Sequence, residues 1–145
     1  MEDIEKRLAA IEARIAISEL RSKYCWYTAR GLQQDVVALF TDDGVFQNAR
    51  ADAAKPVVVT GTQALRDYFS RMKPARRIPL VTNEVTVIEG DAAEGTCAMY
   101  GVGEEGFCGH YVDTFAKVDG QWRFRARRFY PYWPTFHPDP DRRHP

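Results

Sequence analysis

The sequence predicts one α+β domain, and three observations carry that reading. The first thirty residues repeat apolar side chains at helical spacing. From Ile78 onward the chain reads as long β-branched runs broken by the turn pairs Gly90-Asp91 and Asp119-Gly120. Helices come first and long strands later, which is the order of an α+β rather than an alternating α/β domain. A length of 145 residues suits one core and leaves no room for two.

Ile4, Leu8, Ile11 and Ile15 recur at spacings of four, three and four, with charged residues between them. Ile17, Leu20, Tyr24 and Tyr27 continue the same kind of spacing, so the helix is expected to reach about Arg30 and to stop at Gly31. The narrow stripe over Met1 to Ile15 suits either a partner subunit or the chain's own domain. Asp35 is expected to cap a short helix through Val36 and Phe40. Gly44 then releases a strand near Val45-Phe46-Gln47. Asn48 to Lys55 reads as a loop, and Pro56 to Thr60 as a short strand. Thr62 is expected to cap a helix that turns Leu65, Tyr68, Phe69 and Met72 inward and ends at Lys73-Pro74. Four strands follow, Ile78 to Glu89, Ala93 to Val102, Gly109 to Val118 and Trp122 to Tyr132. Hairpins between them imply an antiparallel, meander-like sheet. Five of the eight prolines lie between Pro131 and Pro145, which rules that stretch out as a central strand or helix. The division is therefore a domain over 1–132 and a Pro-rich tail over 133–145. Tyr132, Trp133 and Phe136 favour a strap at its start.

Lys+Arg and Asp+Glu both count 20, so the net charge is zero, which argues against nucleic acid or an anionic membrane as a partner. The basic clusters Arg76-Arg77, Arg125 with Arg127-Arg128, and Arg142-Arg143 are short. Cys25, Cys97 and Cys108 form no CxxC, and the histidines are too scattered for a local zinc site. These cysteines read as free thiols in a reducing compartment. The N-terminus MEDIEKR lacks an apolar signal core, and no stretch is apolar enough to span a bilayer. A cytoplasmic protein is the expectation.

The stretch Tyr24 to Gln47, with Leu39-Phe40 and Asp43-Gly44, resembles the SnoaL-like branch of the NTF2-like superfamily. So do Val81-Thr82-Asn83, Tyr111-Val112-Asp113 and Asp119-Gly120-Gln121-Trp122 further on. The resemblance covers roughly Ile15 to Tyr130. It implies a cone of helices packed on a curved sheet around a pocket, a dimer through the outer sheet face, a small apolar ligand, and no metal or organic cofactor. It also implies lyase (dehydratase) or isomerase chemistry on a cyclic ketone or alcohol. In the dehydratases of this branch a helix-end Asp supports a strand His that removes a proton beside a carbonyl, while a Tyr assists the departing hydroxyl. Here those first two positions fall on Ala29 and Pro79, which cannot titrate. The Tyr is matched by Tyr24, with Tyr27 one turn on. A domain that binds without catalysis, or a dimerisation module, is the alternative.

Candidate catalytic residues are therefore Tyr24, Tyr27, Asp113 and His110. Strand parity puts His110, Val112 and Thr114 on one face and Tyr111, Asp113 and Phe115 on the other. The resemblance makes the second face the pocket side. Burial would raise the Asp113 carboxyl into a useful range, whereas an ion pair with Arg125, Arg127 or Arg128 would hold it instead. Asn83 could present its amide to a ligand carbonyl. Phe40, Phe46, Phe69, Tyr100, Tyr111 and Arg128 are the remaining candidates for ligand contact, with Leu65, Met72 and Phe129 as further apolar lining. Gly101-Val102-Gly103 lacks the strand–helix context of a nucleotide site.

Overall fold

Helix α1 spans Glu2–Arg30 and stops at Gly31, whose φ of 69° gives the left-handed cap that glycine adopts freely. The computed structural model describes residues 1–49, 56–72, 77–103 and 107–132. The two apolar sets read from the sequence are not one stripe. The step from Ile15 to Ile17 turns the helix by about 200°. Ala13, Ile17, Leu20 and Tyr24 are buried, while Ile4, Leu8, Ile11 and Ile15 are exposed. Trp26 also faces solvent.

The chain continues through α2 (Gln33–Ala38), β1 (Phe40–Asn48), β2 (Val57–Thr60) and α3 (Thr62–Ser70), then β3 (Arg77–Glu89), β4 (Ala92–Gly103), β5 (Phe107–Val118) and β6 (Gln121–Pro131). The two expected caps differ from the observed ones. Leu32 and Gly61 occupy the cap positions, Asp35 lies inside the first turn of α2, and Thr62 instead donates to the Asp42 carbonyl. Strand β1 begins before Gly44 rather than after it. Its register shifts between Phe40 and Val45, and a Cβ on Gly44 would lie 2.8 Å from both the Phe40 Cβ and the Thr41 carbonyl. The Asp-Asp-Gly sequence is thus a bulge within a strand, not a turn ahead of one. Leu65 and Phe69 of α3 are buried and Tyr68 is partly so, but Met72 is exposed.

Among the described residues, six strands form one sheet in the order β2-β1-β6-β5-β4-β3. The β3–β4–β5–β6 meander is antiparallel as expected, whereas β1 joins β6 in parallel, an exception the hairpin signals could not show. Asp119 and Gly120 both have positive φ, the geometry of a two-residue hairpin turn. Shifts of register at Thr82/Val85 and Thr114/Phe115 bend the long strands. Helix α1 lies on the bent sheet, and Ile17, Leu20, Phe40, Phe69, Phe115 and Phe124 fill the space between them. The Pro-rich tail over 133–145, with Trp133, Phe136 and the histidines at 137 and 144, lies outside the described residues.

Candidate functional site

Two features of the sequence build a charged cluster inside this core. On α1, Arg21 interrupts the inward stripe between Ile17 and Tyr24, so its side chain enters the core with them. On the sheet, Thr86, Gly95, Asp113 and Arg127 stand directly opposite one another across four strands and so share a face. Arg21, Asp113 and Arg127 are all fully buried.

Asp113 is held from two sides. Arg21 Nε donates to its Oδ2 at 3.1 Å, and Arg127 Nε lies 3.5 Å from its Oδ1. Arg21 Nη1 also donates to Glu84 Oε2 at 3.1 Å and to Thr86 Oγ1 at 3.0 Å. Gly95 leaves the room this needs, since a Cβ there would come within 3.1 Å of Arg21 Nη2. The Arg127 guanidinium lies over three aromatic rings, 3.6 Å from the centre of Tyr111, 4.3 Å from Tyr24 and 4.6 Å from Phe124. Its Nη2 reaches Cys97 Sγ at 3.8 Å. Arg127 Nε and Nη1, Arg21 Nη2 and Asp113 Oδ1 make no hydrogen bond among the described residues.

The electrostatics follow from this burial. Loss of water pushes the Asp113 carboxyl above its usual value, against the opposing pull of Arg127 and Arg21. Burial likewise raises the Tyr24 and Tyr111 phenols, so both stay neutral donors across the physiological range. The Cys25 thiol rises for the same reason, and that of Cys97 is pushed up to about 11. Burial by itself would lower Arg127, but Asp113 acting together with Tyr111, Cys97 and Tyr24 outweighs it and keeps the cation charged. The cluster thus combines fixed cations, neutral phenols and one buried carboxylate whose Oδ1 is ion-paired with Arg127 but accepts no hydrogen bond among the described residues.

The structure gathers only part of the predicted site. Tyr24, Tyr111 and Asp113 meet around Arg127. Of the three arginines considered for Asp113, the partner is Arg127. Tyr27 is half-buried and lies instead beside Gln33, Val36, Phe69 and Met72. Phe40, Phe46, Phe69 and Phe129 are core residues, with Phe40 and Phe69 against the Tyr24 ring. His110 lies on the other face of β5. It stacks on Tyr130 with ring centres 5.0 Å apart and hydrogen-bonds Tyr132. Arg128, opposite Val112, shares that outer face, and Tyr100 is half exposed opposite Leu80 and Cys108. Asn83 is exposed at the β3 bulge with φ 52°, so it does not join the cluster.

Arg21, Glu84 and Thr86 escaped the sequence reading, and Arg127 entered it only as a possible ion-pair partner of Asp113, with Arg128 taken as the site arginine. The signal for Arg21 was present, a charged residue in phase with Ile17, Leu20 and Tyr24. Glu84 depends on the Thr82/Val85 shift, which has no mark in the sequence before the strands are paired. Among the described residues no group of His, Cys, Asp and Glu side chains is arranged to hold a metal ion, and no helix is long and apolar enough to cross a membrane.

The sequence matches the SnoaL-like domain over residues 9–128. A search of curated proteins finds no match. Among solved structures, it resembles a protein of unknown function from Mycobacterium tuberculosis at 27% identity and TM-score 0.73, covering 88% of this chain and 75% of the other. An NTF2-like protein with a cystatin-like fold from Novosphingobium aromaticivorans matches at 17% identity and TM-score 0.73, over 94% and 92% of the two chains. A candidate scytalone dehydratase from the same organism matches at 20% identity and TM-score 0.69, over 87% of each. The last two likenesses establish the fold.

Proposed function

This chain belongs to the SnoaL-like family, and on that footing we propose that it binds a small, largely apolar cyclic ketone or alcohol at the Arg127 cluster and acts on it as a lyase or isomerase. The observation that carries this reading is the buried Arg127 cation, whose Nη1 makes no hydrogen bond among the described residues, and which lies beside two neutral phenols with Asp113 Oδ1 3.5 Å from its Nε. Loss of a proton beside a carbonyl places negative charge on the carbonyl oxygen. A desolvated cation and a phenol stabilise that charge far better than water would. Asp113 Oδ1, made more basic by burial, would take the proton. Arg21 and Glu84 would hold that carboxylate in place without touching the ligand. The Arg127 guanidinium is now covered by aromatic rings, so ligand entry requires Tyr24 or Tyr111 to turn aside. The similarity to a candidate scytalone dehydratase supports this class of reaction without naming the substrate.

A second reading, binding without turnover, is favoured by Ala29 and Pro79 and by the two arginines that hold Asp113. A thermal-shift screen against cyclic ketones and their alcohols, with each hit incubated and followed by mass spectrometry, separates the two. Tyr24→Phe keeps the ring under Arg127 and removes only the hydroxyl. In an enzyme it lowers turnover by about 10²-fold or more with little change in binding. A ligand returned unchanged by the parent protein would support the binding reading. We further propose a homodimer through the outer sheet face, where Ile78, Leu80, Val85, Tyr100 and Val102 are exposed.

A further inference from the structure

We propose that the N-terminal part of α1 joins copies of this chain through a parallel helical seam, separate from the sheet face. None of the first twelve residues is buried, so the helix projects about 18 Å before its first buried residue, Ala13. That projecting part is not polar all round. Met1, Ile4, Leu8, Ile11 and Ile15 are between 53% and 96% exposed, and they lie on the face opposite the one that packs on the chain's own sheet.

Their spacing is the alternating three and four of a heptad, with Met1, Leu8 and Ile15 at position a and Ile4 and Ile11 at position d. This register assigns the flanking charges without further choice. Position e holds Glu5, Glu12 and Glu19, and position g holds Arg7 and Arg14. Each flank therefore carries one sign. In a parallel pair, g faces the e position of the next heptad, so Arg7 would meet Glu12 of a neighbouring copy and Arg14 its Glu19. In an antiparallel pair, e faces e and g faces g, which would set glutamate against glutamate and arginine against arginine. The charge pattern thus names both the occupant, another copy of this chain, and its direction. Arg14 donates to the Thr86 carbonyl of its own sheet, which leaves Arg7 with Glu12 as the principal pair. Isoleucine at d with Leu8 at a favours about three or four strands over two. Because the sheet-packed face points away from the seam, the domains would stand on the outside of the bundle.

The test is the mass of the full chain by sedimentation equilibrium, at low and moderate salt. The expected parent is an assembly that Leu8→Glu with Ile11→Glu reduces, while circular dichroism and thermal unfolding of the domain hold, because neither side chain is buried. If the outer sheet face also holds a dimer, the double variant stops at the dimer, still below the parent mass. Arg7→Glu is expected to weaken assembly at low salt, and adding Glu12→Arg to restore it. Ile4→Cys is expected to cross-link to itself on mild oxidation, as parallel in-register helices require. A parent mass unchanged by Leu8→Glu with Ile11→Glu would overturn the proposal. So would a parent that is monomeric, or an Ile4→Cys that cross-links only when combined with Ile15→Cys.

Discussion

Strands β5 and β6 carry an aromatic and ionisable cluster on each of their two faces, and the faces differ in what surrounds them. Inward, Tyr111, Asp113 and Arg127 are sealed under Tyr24 and Arg21. Outward, His110 stacks on Tyr130 and bonds Tyr132, with all three half-buried. The outer group has the one histidine of the strands, the residue usually sought first for acid–base work. The inner group has the desolvated charges. Desolvated charge makes a cluster reactive, and here alternate residues of the same strands separate it from the histidine.

The largest effect expected from this contrast comes from breaking the inner pair on one side. Asp113→Asn leaves Arg21 and Arg127 without their shared carboxylate in the core and should cost about 3–5 kcal/mol of stability. Denaturant unfolding measures it. His110→Ala on the outer face should cost under about 1 kcal/mol and leave any turnover unchanged. Equal losses at the two positions would remove the distinction.

Gly95 tests the same boundary by volume. A Cβ there would meet the Val85 carbonyl at 2.1 Å and crowd Arg21 Nη2 at 3.1 Å. The carbonyl is backbone and cannot swing away, so Gly95→Ala should destabilise by about 1–3 kcal/mol. If ligand binding depends on Arg21 holding Asp113, the same variant should weaken binding in the thermal-shift assay, whereas His110→Ala should not.

Alkaline pH sharpens the comparison further. The folded Cys97 thiol titrates near 11 against an ordinary value of 9.0. The folded state therefore binds more protons than the unfolded chain between those values, and stability falls as pH rises through that window. The Cys97 contribution is about 2–3 kcal/mol at its full extent. Tyr24, Tyr111 and Cys25 are raised by burial too and act in the same direction. Cys97→Ala should flatten part of the slope in a pH series of urea unfolding.

What the sequence disclosed, and what it did not, follows the range of the interactions. The helical spacing, Gly31 and Asp119-Gly120 act over a few residues, and the elements they mark are present. Strand parity put Tyr111, Asp113 and Phe115 on one face because the period of two is local. The parallel β1–β6 pairing, the side of α1 that meets the sheet and the Arg21–Glu84 contact join residues far apart in the chain. The helix phase between Ile15 and Ile17 was legible in principle. Two residues advance a helix by more than half a turn, so a single stripe could not hold both sets.

The smallest expected effect lies at the bulge that turns Glu84 toward Arg21. Asn83 holds φ 52° there, a conformation that asparagine tolerates better than most residues and glycine adopts freely. Its side chain is exposed and outside the cluster. Asn83→Gly should therefore shift stability by no more than about 0.5 kcal/mol, because relief in the folded state is offset by greater freedom of the unfolded chain. Asn83→Val should cost more, since a β-branched residue is strained at positive φ. The loss should include binding if the bulge sets the position of Glu84. Should Asn83→Gly abolish binding while leaving stability unchanged, Asn83 would be a ligand contact after all, and the inner cluster would extend past the sheet edge.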